Sequence, residues 1–153
     1  MIRARRIRRA RPAEADALRR LAHRSKAYWP YGPEFLEAVR PLLQLDARDV
    51  DTSEVWVLEV DGRMAGWHRV TPHGARAELE DLWLEPAHIG SGLGRVLFEH
   101  AVGVARALGA RRLEWDAEPY AEGFYRAMGG KEIGRSPSAA VEGRTLPRMR
   151  LTL

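Results

Sequence analysis

Cysteine is absent from the 153 residues, so disulfides, thiolate zinc sites and a cysteine nucleophile are excluded together. Lysine is nearly absent: of 25 basic residues only Lys26 and Lys131 are lysine, and the rest are arginine. No run approaches the roughly 20 apolar residues that cross a bilayer. The start, Met1-Ile2-Arg3-Ala4-Arg5-Arg6, has no apolar stretch behind it and does not read as a secretory signal. These absences fit a cytoplasmic protein. The histidines, His23, His68, His73, His88 and His100, show no paired ligand spacing, so no metal is expected. Repeats, linkers and low-complexity segments are missing as well, which leaves one domain over residues 1–153.

What is present is a globular balance, 45% apolar and 30% charged, with a formal charge of +4 that favours anionic partners. The arginine and alanine bias suggests a GC-rich, bacterial coding genome. Six arginines fall within residues 3–11. They read either as a nucleic-acid arm or as an edge strand whose arginines discourage pairing; no aromatic residue interleaves them for base stacking, which favours the strand.

Residues 5–10 therefore read as a first strand. Pro12 opens a helix with Leu18, Leu21 and Ala22 at helical spacing, ending before Pro30. A second helix is expected over 33–44, with Pro41 distorting its last turn. Val55, Val57 and Val60, then Asp61-Gly62 and residues 63–71, read as a hairpin. A third strand, 76–84, puts Glu78, Glu80, Leu82 and Leu84 on one face and Leu79, Asp81 and Trp83 on the other. A helix over about 92–108, a strand at 111–116, a short helix at 119–128 and strands at 131–135 and 147–153 complete an α+β chain.

The most informative stretch is His88-Ile89-Gly90-Ser91-Gly92-Leu93-Gly94-Arg95, between a strand and a helix. Alternating glycines let the backbone approach a ligand, and a helix N-terminus offers unpaired N–H groups and about half a positive charge. The combination suits phosphate. It is not a P-loop, because Arg95-Val96 follows Gly94 where Lys-Ser/Thr is required. A dinucleotide loop would put its third glycine at 95, which is arginine, although Asp116 lies where a ribose-binding acid would.

Glu80 to Gly94, Glu-Asp-Leu-Trp-Leu-Glu-Pro-Ala-His-Ile-Gly-Ser-Gly-Leu-Gly, resembles the acetyl-CoA signature of the GNAT superfamily of N-acetyltransferases. Gly92 and Gly94 take the two glycine places of that signature, and Ile89 stands where the family has Arg or Gln, with His88 or Arg95 beside it as substitute donors. Glu118 to Gly130 is similar to the family's helix after the fifth strand, where Glu118 and Tyr120 flank the place of an asparagine. The resemblance covers nearly the whole chain. It implies a mixed, mostly antiparallel sheet of about six to seven strands flanked by about four helices, splayed between strands 4 and 5.

It also implies transfer of acetyl from acetyl-CoA to a primary amine by direct attack on the thioester. The pantetheine arm would lie along Leu82, Trp83 and Leu84, with Tyr120 and Gly123 across from it. The pyrophosphate would sit on Ile89, Gly90, Ser91, Gly92, Leu93, Gly94 and Arg95. Tyr125 matches the tyrosine that assists the departing thiolate. An amine must lose a proton before attack, and Glu78 or Glu80 on the fourth strand is the candidate base. Tyr28, Trp29, Tyr31 and Phe35 would wall the acceptor site, with Glu34 and Glu37 nearby. A sheet-edge homodimer is consistent with the family; membrane or nucleic-acid partners are not expected. The alternatives are a non-catalytic acyl-CoA-binding or sensing module and a nucleotide-binding oxidoreductase fragment.

Overall fold

The computed structural model describes residues 4–153. The elements run β1 (Arg5–Arg9), α1 (Ala15–Ala27), α2 (Pro33–Val39), α3 (Ala47–Thr52), β2 (Glu54–Val60), β3 (Arg63–His73), β4 (Arg76–Leu84), α4 (Leu93–Ala107), β5 (Arg112–Asp116), α5 (Glu122–Ala127), β6 (Lys131–Pro137) and β7 (Thr145–Thr152). The strands form one seven-stranded sheet in the order β1-β2-β3-β4-β5-β7-β6. Only β4 and β5 run parallel; the other neighbours are antiparallel.

Both faces of the sheet are covered. On one, Leu18, Leu21 and Ala22 of α1 recur at helical spacing and pack with Val55, Val57 and Trp67. Trp67 is buried there and satisfies its indole by donating to the Leu18 carbonyl at 2.8 Å. On the other, Phe98, Ala101 and Ala105 of α4 pack on Val70, Leu79, Leu113, Trp115 and Met149, and Leu97 packs with Leu58, Ala65 and Leu84. Each large side chain so buried stabilises the fold by about 1.5–3 kcal/mol.

The parallel pair is short, and this creates the site. Arg76–Glu78 of β4 matches Arg112–Glu114 of β5, and β4 then continues to Leu84 without β5 beside it. The divergence begins at a β-bulge. Arg69 of β3 faces Asp81, whereas the next residue, Val70, faces Leu79, so Glu80 is the extra residue. Bulges bend and twist the strand that carries them. The bulge also overturns the strict alternation expected for β4. Leu79, Leu82 and Leu84 all pack on the α4 side, and Trp83 packs with the α1 cluster, so Glu78 does not share a face with Leu82 and Leu84.

Other differences have local causes. The helix expected over 33–44 stops at Val39, and Arg40–Leu42 is a single 3-10 turn, since Pro41 lacks the N–H and clashes with the preceding turn. α3 was not expected and brings the α-helices to five; Asp46 caps it, accepting from the Asp49 N–H at 2.8 Å while Asp49 accepts from the Asp46 N–H at 3.0 Å. The last hairpin spans 131–137 and 145–152 rather than 131–135 and 147–153. The arginine run is partly committed to the fold: Arg8 donates to Glu14 at 2.7 and 2.9 Å and to Glu59 at 3.0 Å, and Arg9 pairs with Glu54 at 2.7 Å. Arg3 lies outside the described residues.

Candidate active site

Where β4 leaves β5, a cleft of about 450 Å³ opens between the end of β4, the glycine loop and α5. Leu82, Trp83 and Leu84 form one wall and Tyr120, Phe124, Tyr125 and Met128 the other. Ile89, Gly90, Gly92, Gly94 and Arg95 close one end. Gly90 and Gly92 have φ of +83° and +87°, a region that side chains resist, so the turn into α4 requires glycine at both. Gly92 is the N-cap of α4 and offers no side-chain acceptor. The Leu93 N–H has only a long contact to the Ser91 hydroxyl, 3.4 Å. The first turn of this 15-residue helix therefore keeps donors and a positive dipole end for an anion. Gly94 lies against Phe124, whose ring atom would be 3.2 Å from an added Cβ. These features fit a diphosphate.

Tyr125 is buried on the cleft's far wall among Phe98, Trp115 and Phe124, with ring centroids 5.1–5.8 Å away. Burial, aided by the nearby Glu118 carboxylate, pushes its phenol above the ordinary value. Tyr125 thus stays protonated through the neutral range.

Glu118 is the one carboxylate lining the cleft among the described residues. It is tied to α1 through an ion pair with Lys26 and to the segment before α2 through a hydrogen bond from the Tyr31 hydroxyl. Tyr31 in turn accepts from Arg144 at 3.0 Å. Aromatic rings frame this chain of charges: Trp29 stacks on Tyr120 at 5.5 Å, and Tyr31 on Phe35 at 4.1 Å. Burial and the Glu118 hydrogen bond push the Tyr31 phenol up as well.

The carboxylates of β4 and β5 lie elsewhere. Glu78 accepts two hydrogen bonds from Arg148, both 2.6 Å, in a bidentate pair. Glu80, at the bulge, is exposed and accepts from the Thr71 hydroxyl at 2.9 Å. Burial pushes the Asp81 carboxyl up to about 6, against a 3.0 Å hydrogen bond from the Trp83 indole. Burial also works against ionisation of Glu114, but hydrogen bonds from Arg150 and Arg112 outweigh it and leave that carboxyl below its usual range. None of these four lines the cleft. Among the described residues no group of three or more His, Cys, Asp or Glu is placed to hold a metal, and no helix is long and apolar enough to cross a membrane.

The sequence model of the Acetyltransferase (GNAT) family matches residues 16–129. This chain belongs to the GNAT acetyltransferase family. The GNAT domain is 36% identical over 70 residues to the streptothricin acetyltransferase of Streptomyces lavendulae, a match that takes in 44% of this chain and 37% of that protein's length. Its fold is similar to that of the PaiA N-acetyltransferase of Thermoplasma acidophilum in complex with coenzyme A, with a TM-score of 0.80, 16% identity and coverage of 98% and 99% of the two chains. It is also similar to a GNAT-family acetyltransferase of Brucella melitensis in complex with acetyl-CoA, with a TM-score of 0.67, 22% identity and coverage of 98% and 88%.

Ten of the residues expected to form the GNAT site line the cleft together: Leu82, Trp83, Leu84, Ile89, Gly90, Gly92, Gly94, Arg95, Tyr120 and Tyr125. Ser91 donates its hydroxyl to the His88 carbonyl, Leu93 turns into the core beside Leu97, and Gly123 sits at the start of α5, so these three flank the cleft. Glu78 and Glu80 are outside it. The sequence placed Glu118 at the head of the second motif but gave no chemical role to it or to Lys26, Arg144 or Arg148, which lie far apart in the chain.

Proposed function

We propose that this GNAT domain catalyses transfer of an acetyl group from acetyl-CoA to a primary amine by direct attack. The observation that carries the reading is the uncapped, glycine-turned N-terminus of α4, opening onto a cleft that the buried Tyr125 lines. Acetyl-CoA supplies the acetyl group as a thioester. The α4 amides would hold its diphosphate, and the free edge of β4 at Leu82–Leu84 offers backbone groups to the pantetheine arm, in place of the partner strand that β5 no longer provides.

Once deprotonated, the acceptor nitrogen forms the new bond to the carbonyl carbon, the carbon–sulfur bond breaks with its electron pair going to sulfur, and the second proton that the nitrogen sheds passes through solvent to the thiolate. Glu118 is the carboxylate best supported to draw the ammonium in and to take its proton, directly or through water; Glu78 and Glu80 are engaged outside the cleft. Tyr125 would donate a hydrogen bond to the departing sulfur. Full proton transfer is uphill, since phenol and thiol values differ by about 1.5 units, roughly 2 kcal/mol, before burial widens the gap.

Likeness to the streptothricin enzyme raises an antibiotic amine as acceptor. The test is calorimetric titration with acetyl-CoA, followed by thiol release across an amine panel. Binding with turnover supports the proposal. Binding without turnover on any amine favours the non-catalytic acyl-CoA module, for which the missing side-chain donor at Ile89 is the motivating feature.

A further inference from the structure

Arg144 closes the loop between β6 and β7 and is half-buried beside Tyr31 and Phe35, which adjoin the cleft behind Glu118 rather than line it. Its guanidinium lies 4.7 Å from the Phe35 ring centroid and 5.5 Å from that of Tyr31, and it donates to the Tyr31 hydroxyl at 3.0 Å. Most of the other arginines near the sheet are satisfied: Arg148 by Glu78, Glu114 and Asp116, Arg150 and Arg112 by Glu114. Among the described residues Arg144 has no carboxylate partner. Of its five N–H donors, one is used by Tyr31. The aromatic rings hold the guanidinium plane, which pre-organises the remaining fork.

The neighbouring charges sharpen the point. Lys26 and Arg144 flank Tyr31 and Phe35, and the single carboxylate between them, Glu118, is matched by Lys26. Arg144 thus keeps a charge with no ion-pair partner among the described residues, joined through Tyr31 to the carboxylate that faces the cleft. An ammonium and a carboxylate on one small molecule complement this arrangement, the ammonium at Glu118 and the anion at Arg144.

We infer that the acceptor is a zwitterionic amine, an amino acid or a close analogue, whose carboxylate is held by the Arg144 fork while its amine faces the cleft beside Glu118. This rests on the acetyl-transfer reading above. It sets specificity by charge, since a polycation brings no anion to Arg144, whose guanidinium repels its second ammonium.

The experiment compares thiol release for amino acids with that for their carboxamides, alongside a linear polyamine, in the wild type and in Arg144→Gln and Arg144→Lys. Acids are expected to exceed their amides by at least about tenfold in kcat/KM, the usual effect of a charge-assisted pair. Arg144→Gln should raise KM for the acids by about 10–100-fold, collapsing the acid-to-amide ratio toward one, and Arg144→Lys should restore part of it. Equal use of acids and amides, a preference for the polyamine, or turnover of no acid by a protein that binds acetyl-CoA would overturn the inference and leave the coenzyme reading standing. Calorimetry that finds no acetyl-CoA binding would bring down both.

Discussion

Replacing Tyr125 by phenylalanine isolates one oxygen atom. The ring is buried and packs on Phe98, Trp115 and Phe124, contacts that phenylalanine keeps, so the fold should change in stability by less than about 1 kcal/mol. Among the described residues nothing accepts a hydrogen bond from the Tyr125 hydroxyl, so no internal partner is orphaned. What is lost is the hydroxyl of a cleft-lining residue that, on the proposed mechanism, donates to the sulfur as negative charge develops there. Hydrogen bonds to charged groups contribute about 1.5–3 kcal/mol, which corresponds to a fall in kcat of roughly 10–150-fold. Affinity for acetyl-CoA should stay within about twofold, because the ground-state thioester is uncharged. Steady-state thiol release from pH 6 to 9 measures the first and calorimetry the second. Burial holds the phenol protonated, so the wild-type profile should show no alkaline loss from Tyr125 in this range. Wild-type turnover by the variant at every pH would refute the reasoning, and so would a loss confined to coenzyme affinity.

Three further outcomes follow from the same geometry. Glu118→Gln leaves the buried Lys26 ammonium without its counter-ion; thermal unfolding should show a loss of about 3–5 kcal/mol, and turnover should drop by about 10²-fold or more, whereas unchanged turnover would exclude a proton-accepting role. Gly92→Ala, at φ +87° with open space around it, should cost about 1–2 kcal/mol of backbone strain and weaken acetyl-CoA binding by about tenfold; unaltered binding would show that the loop does not hold the coenzyme. His68 is buried against His100, its Nε2 2.9 Å from His100 Nδ1, and burial pushes it down to about 3. The unfolded chain takes up a proton near pH 6.5 that folded His68 refuses, so His68 should lower stability as pH falls from about 6.5 toward about 3, by about 1.4 kcal/mol per unit. Urea midpoints at several pH values, for the wild type and His68→Leu, read this directly; equal slopes in the two proteins would contradict it.

Local signals carried much of the architecture. Asp61-Gly62 marked the hairpin between β2 and β3, and Gly90 and Gly92 marked the turn into α4, because positive φ is a demand that glycine meets readily and aspartate tolerates, as Asp61 does at φ +51°. Two features were readable and overlooked. Asp46 and Asp49, three apart, announce the cap of α3. In β4 the apolar positions run Ala77, Leu79, then Leu82 and Leu84, and the extra step between Leu79 and Leu82 is the bulge at Glu80. The aromatic residues from Tyr28 to Phe35 were readable as an acceptor wall, but the charges paired around them were not. Glu118 lies 92 residues from Lys26 and 87 from Tyr31, and Arg144 lies 113 from Tyr31. Such pairings are decided by how α1, the loop after β5 and the β6–β7 loop converge on the sheet, and no spacing in the chain encodes them. Glu78 shows the converse: a strand carboxylate looks available for chemistry until Arg148, from β7, is found holding both of its oxygens.

The central claim is that the N-terminus of α4 grips the diphosphate of acetyl-CoA and presents its thioester to the cleft beside Tyr125. A crystal structure of the protein with acetyl-CoA measures this most directly. The account predicts diphosphate oxygens within hydrogen-bond distance of the amides from Gly92 to Val96, the pantetheine along Leu82–Leu84, and sulfur next to the Tyr125 hydroxyl. Coenzyme bound elsewhere on the domain, with this helix end facing only water, would contradict it.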